Sequence, residues 1–122
     1  MRLENKVALI SGGARGMGAV EAKLFTTEGA KVVIGDVLEE DGRRTEAEIN
    51  EAGGECLFVP LDVTNEAAWQ DAVQAAVVRA RLGPRPSLAD ERVRLLVRQL
   101  LRVGHHDLAQ VLGVDEDLRG RL

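Results

Sequence analysis

Three short apolar runs, Val7–Ser11, Lys31–Asp36 and Glu55–Pro60, alternate with segments of helical spacing, and that alternation restricts the chain to few folds. Each run is continuously apolar instead of alternating with polar residues, as suits a parallel strand buried on both faces. Between the first two runs, Gly16–Glu28 carries Met17, Val20 and Leu24 at helical spacing; between the second and third, Leu38–Ala52 is rich in Glu, Ala and Arg. Gly29 and the pair Gly53-Gly54 stand where helix C-caps are expected. A third helix is expected from an N-cap at Thr64 or Asn65, with Glu66 in its first turn and Trp69, Ala72, Val73, Ala76, Val77 and Ala80 in register. The order β-α-β-α-β-α is half of a doubly wound parallel sheet, in the α/β class.

The connection after the first run reads Ser11-Gly-Gly-Ala-Arg-Gly-Met-Gly18 and opens a helical pattern directly. A strand, a glycine turn and a helix in that sequence bring backbone N–H groups at the helix start close to a pyrophosphate, whose charge the helix dipole stabilises. Gly12-x-x-x-Gly16-x-Gly18 is spaced differently from the G-x-G-x-x-G of many dinucleotide sites. The physics is shared: the first glycine permits the turn, and the later ones allow close approach of the ligand and of the helix. Asp36 ends the second run, where a carboxylate can accept hydrogen bonds from ribose hydroxyls and repel a 2′-phosphate. Asp62-Val63 follows the third run at the same end of the sheet.

With these elements in place, residues 3–78 resemble the N-terminal half of the short-chain dehydrogenases/reductases, from Leu3-Glu-Asn-Lys-Val-Ala-Leu-Ile through Leu61-Asp62-Val63-Thr64. The resemblance implies a partial Rossmann-like sheet that binds NAD. It places Ser11, Gly12, Arg15, Gly16, Met17 and Gly18 along the pyrophosphate and nicotinamide side, Asp36 at the ribose and Asp62-Val63 at the adenine. Arg15 would suit a phosphorylated cofactor, but Asp36 stands where the 2′-phosphate would lie, so NAD is expected. The family pattern continues with a fourth strand, Leu-Val-Asn-Asn-Ala-Gly, then a serine and Tyr-x-x-x-Lys, in which tyrosine exchanges the substrate proton. This chain has no tyrosine, and the segment near Leu88–Glu91 does not match the fourth strand. No catalytic residue is assigned. The resemblance therefore implies a truncated or frame-disrupted, inactive relative of NAD-dependent oxidoreductases that move hydride between NAD and an alcohol or ketone. The other reading is a stand-alone NAD- or adenosine-nucleotide-binding module.

Charge marks where the resemblance stops. Residues 1–78 carry 7 Lys+Arg against 14 Asp+Glu, whereas 79–122 carry 9 against 6, all of the 9 arginine. The chain is read as a partial dinucleotide-binding domain over 1–80, a linker over 81–86 that includes Pro84 and Pro86, and a helical, arginine-rich tail over 87–122. In that tail Ser87 and Asp90 resemble a capping box, Val93, Leu96, Val97, Leu100 and Leu101 form an apolar stripe ending near Gly104, and Asp107–Gln110 starts a short helix. Arg94, Arg98 and Arg102 read as a solvated face, His105-His106 as surface histidines without a third metal ligand, and Asp115-Glu116-Asp117 as a solvated turn.

The remaining composition argues against nucleic-acid and membrane partners. Only Phe25, Phe58 and Trp69 are aromatic, which removes the stacking platform of a single-strand nucleic-acid binder. The charged start Met1–Lys6 and the four apolar residues after it are too short for a signal or a membrane span, and a cytoplasmic protein is expected. The lone Cys56 precedes Leu57-Phe58-Val59 and reads as a buried, inert strand residue. Without a fourth strand, Val7–Ile10 would form an apolar edge, through which self-association is expected.

Overall fold

The computed structural model describes residues 1–82 and 89–102. Its elements follow the expected order: β1 (Val7–Ser11), α1 (Gly16–Thr27), β2 (Lys31–Asp36), α2 (Glu39–Glu51), β3 (Glu55–Pro60), α3 (Glu66–Leu82) and α4 (Glu91–Arg102). The three strands form one parallel sheet in the order β1-β2-β3. Register aligns Ala8 with Val32 and Cys56, and Ile10 with Ile34 and Phe58. Parallel neighbours need a helical crossover between them, which is why each run is separated by a helix.

Side chains alternate across the sheet and build two cores. On one face Ile10, Val32, Ile34, Cys56 and Phe58 pack with Ala22 of α1 and Ile49 of α2. On the other, Val33, Leu57 and Val59 pack with Leu61 and with Ala72 and Ala75 of α3. Helices on both faces make the sheet doubly wound, and the continuous apolar runs are explained by burial on each side. Burial pushes the Cys56 thiol up to about 12, so this cysteine is the inert strand residue its neighbours suggested.

The helix ends obey the sequence, but two helix faces do not. Gly29 and Gly53 follow the C-caps of α1 and α2, with Gly29 N–H donating to Thr26 and Gly53 N–H to Asn50, each at 3.1 Å. Asn65, one of the two expected caps, begins α3: its side-chain oxygen accepts Ala68 N–H at 3.2 Å. The stripe Met17, Val20 and Leu24, however, faces outward, with Val20 64% and Leu24 57% exposed, while Ala19 and Ala22 are buried. In α3 Ala72, Ala75, Val78 and Arg79 are buried, and Val73 is 49% exposed. Helix α1 turns its small residues to the sheet, whereas α3 buries Val78 and Arg79 beside Ala72 and Ala75.

Helix α3 runs unbroken through the compositional step at residue 78 and two residues into the expected linker. Arg79 belongs to this body: it is buried, and burial lowers its pKa while Glu55 and Glu46 raise it. Helix α4 starts at Glu91 with Asp90 accepting Arg92 N–H at 2.9 Å, so the cap falls at Asp90, three residues beyond the expected start. Val93 of its stripe is buried, and Arg94 and Arg98 are exposed. Gly83–Pro86, Ser87, His105-His106, the helix from Asp107 and the final acids lie outside the described residues.

Candidate nucleotide-binding site

Register brings the candidate residues to one rim. Ser11 aligns with Gly35 and Val59, and Asp36 with Pro60, so β1, β2 and β3 all end at the same sheet edge, where the first connection, Asp36 and Asp62-Val63 lie. Parallel strands about 4.8 Å apart put Ser11 and Val59 roughly 10 Å from each other, a span that suits an extended nucleotide lying across the strand ends.

The turn is shaped by two glycines in different ways. Gly12 has φ +72°, a left-handed conformation that a side chain would strain, and its N–H donates to Gly35 at 2.7 Å. Gly18 lies in the first turn of α1, where a Cβ would collide with the Gly12 carbonyl. The second glycine therefore lets the helix start lie directly on the loop.

Asp36 locks this loop to the next one. One carboxylate oxygen accepts Ala14 N–H at 3.2 Å and the other accepts Leu38 N–H at 3.1 Å, while the Asp36 carbonyl accepts Leu61 N–H at 3.0 Å. Each carboxylate oxygen can accept a further bond, so the group can brace the loop and still receive a hydroxyl donor. The Thr45 hydroxyl, buried on α2, donates to the Ala14 carbonyl at 2.7 Å. Gly13, Ala14, Leu38 and Thr45 were missed from the sequence. Gly42, Thr45 and Ile49 form the buried row of α2, and that helical spacing amid charges was the available signal for Thr45.

The start of α1 is the least satisfied of the helix starts. Arg15 at its N-cap makes no side-chain capping bond, and its first turn holds no acid. Helix α2 opens with Glu39, Glu40 and Asp41, and α3 with Asn65 as cap and Glu66. Orphan N–H groups and an uncompensated dipole together favour an anion at α1. Arg15, Gly16 and Met17 are exposed there, beside the exposed Ser11 and Gly12.

Asp62 and Val63 are placed by α3. Asp62 accepts both the Thr64 hydroxyl at 2.6 Å and the Thr64 N–H at 2.9 Å, and these bonds hold its carboxyl below the usual carboxylate range. The Trp69 indole N–H donates to the Val63 carbonyl at 2.8 Å, which pins the backbone of this loop. Both residues are exposed. Among the described residues no group of His, Cys, Asp and Glu could hold a metal ion, and no helix is long and apolar enough to cross a membrane.

A dinucleotide turn, an acid at the end of β2 and a doubly wound sheet define a class, and comparison with known proteins gives its name. The short chain dehydrogenase family profile matches residues 6–84, and the chain belongs to that family. It is 59% identical over 76 residues to 2,5-dichloro-2,5-cyclohexadiene-1,4-diol dehydrogenase of Sphingobium indicum, a match covering 62% of this chain and 30% of that protein. It is 53% identical over 76 residues to 3-alpha-(or 20-beta)-hydroxysteroid dehydrogenase of Mycobacterium tuberculosis, covering 62% of this chain and 28% of that one. Among solved structures, a short chain dehydrogenase/reductase from Burkholderia phymatum in complex with NAD superposes with a TM-score of 0.61 and 35% identity, over 63% of this chain and 27% of the other. The chain thus spans under a third of the length of these relatives and matches their N-terminal portion.

Proposed function

We propose that this chain binds NAD across the strand ends, with the pyrophosphate at the start of α1 and the adenosine between Asp36 and Asp62-Val63. The single observation that carries the reading is the start of α1, which lacks both a side-chain cap and a first-turn acid while Gly18 lets it lie directly against the turn at Gly12. NAD supplies hydride acceptance, and as NADH hydride donation, when bound. The residues of this chain bind and orient it. Backbone N–H groups of Gly16, Met17 and Gly18 face the phosphates, Ser11, Gly12 and Arg15 flank them, and the Asp36 carboxylate receives the ribose hydroxyls and repels a 2′-phosphate. Val63, held by Trp69, and Asp62 border the adenine.

With no tyrosine in the sequence, the family's proton-exchanging residue has no counterpart among these 122 residues, so the function proposed for them is dinucleotide binding. The family match stops at residue 84, and the segment after it is rich in arginine. A single buried cysteine fits a cytoplasmic setting.

Trp69 provides the test. Titration with NAD is expected to change Trp69 fluorescence saturably, because its indole is bonded to the loop that borders the adenine. Gly12→Val should abolish the response, and Asp36→Ala should weaken NAD binding roughly tenfold or more, the effect of losing a charged hydrogen-bond acceptor. A flat titration in tryptophan fluorescence and in calorimetry would reject the reading.

A further inference from the structure

Ala14, in the glycine turn, is held by both of its backbone groups, and the two holds come from different elements. Its N–H donates to the Asp36 carboxylate at the end of β2 at 3.2 Å, and its carbonyl accepts the Thr45 hydroxyl of α2 at 2.7 Å. Ala14 and Thr45 are both buried, so water does not replace the second bond. A threonine inside a helix ordinarily bonds back to a carbonyl three or four residues earlier. Thr26 and Thr27 of α1 do so, each donating to the Lys23 carbonyl at 2.9 Å. Thr45 instead spends its hydroxyl on a residue 31 positions away.

Helix α2 gives that bond a fixed support. Gly42 lies so close to Phe58 that a Cβ would overlap the ring. Asn50 accepts the Cys56 N–H at 2.8 Å and donates to its carbonyl at 3.0 Å, and Glu46 accepts the Phe58 N–H. The hydroxyl is thus placed by β3, two strands away from the turn it holds.

Orienting this carbonyl also orients a donor. Among the described residues no peptide bond is cis, and in a planar trans peptide the N–H points opposite to the C=O. With the Ala14 carbonyl turned to α2, the Arg15 N–H of the same peptide is turned away from α2, on the side where Arg15, Gly16 and Met17 are exposed. Freed from Thr45, the peptide can turn over and present its carbonyl oxygen there, which repels an anion. We infer that Thr45 is a positioning residue of the nucleotide site: from the buried row of α2 it holds the Ala14–Arg15 peptide with its N–H toward the pyrophosphate. That role rests on the proposed seating of the pyrophosphate at the start of α1. Loss of the hydroxyl leaves a smaller fraction of molecules with the peptide in the competent orientation and weakens binding by that fraction.

Calorimetry with NAD on the 122-residue chain is expected to show Thr45→Val, nearly the same shape without the hydroxyl, binding roughly fivefold more weakly, and Thr45→Ser restoring the affinity. Ile49→Val, a shortening in the same buried row that spares the hydroxyl, should lower the urea midpoint yet leave NAD affinity unchanged, which separates the bond from stability. Amide spectra supply a signature that stability does not move: NAD shifts the Arg15 amide in the wild type and Thr45→Ser, and that shift is largely lost in Thr45→Val while those of Asp36 and Val63 remain. Equal affinity in Thr45→Val and the wild type would overturn the role of Thr45 and leave the nucleotide site standing, as would an equal loss in Thr45→Ser or Ile49→Val. An Arg15 amide that NAD leaves unmoved in the wild type, with Gly16 and Met17 shifted, would overturn it without any variant. A wild type that binds no NAD would overturn the site itself, and the role of Thr45 with it.

Discussion

Helix α2 begins with three acids and helix α1 with none, although both follow a strand at the same rim of the sheet. Neither helix start has a side-chain capping bond, but the acids of α2 compensate its own dipole within the chain. The start of α1 has no such acid, and Gly18 lets it lie directly on the turn at Gly12. The strand edges repeat the contrast, with β3 capped by Asn50 and Glu46 and β1 uncapped among the described residues. In the proposed reading, the backbone groups left open at the start of α1 are the ones that receive the ligand.

Substitutions can break or exchange these properties. The largest effect is expected from Gly18→Val, whose side chain must displace the Gly12 carbonyl; overpacking of this kind costs about 1–3 kcal/mol in stability. With the loop pushed off the helix start, NAD binding by calorimetry should be undetectable, and near-wild-type affinity would show that the close approach is irrelevant. Asn50→Ala should come next. It leaves the Cys56 backbone groups unpaired, costs about 1–3 kcal/mol in urea unfolding, and converts a closed edge into an open one, so light scattering should reveal larger species than the wild type forms.

Met17→Glu tests the contrast from the other side, by giving α1 the first-turn acid that α2 already has. A stability gain of about 0.3–1 kcal/mol is expected from the dipole, together with a several-fold weaker NAD affinity. Gain in both would sink the idea that the start of α1 is kept free for an anion. A separate effect concerns pH. Because the folded Cys56 thiol titrates at about 12 against an ordinary value of 9.0, its contribution to stability is complete below pH 9 and declines as pH rises toward 12. Urea midpoints measured between pH 8 and about 11 should fall more in the wild type than in Cys56→Ala.

The strands, the glycine turn and the acid at the end of β2 were legible because each is fixed by a local pattern: a continuous apolar run, a required backbone angle, a position at a strand end. The helix faces were less so. Periodicity picks out Val20 and Leu24, yet Ala19 and Ala22 meet the sheet, because helix-to-sheet distance selects small residues and hydrophobic spacing does not report distance. Spacing could have marked Thr45 as buried, but not its bond, because the partner, the Ala14 carbonyl, lies 31 residues away. Nothing in the sequence singles out Glu46 and Asn50, and only the placement of α2 against β3 shows that they bond to its edge.

The most direct measurement is an amide NMR titration with NAD. Proposed contact at the open helix start requires the largest shifts at Gly16, Met17 and Gly18, with accompanying shifts at Asp36 and Val63 and little change at Glu39–Asp41 of α2. A spectrum that NAD leaves unchanged, or shifts confined to the start of α2, would contradict the assignment.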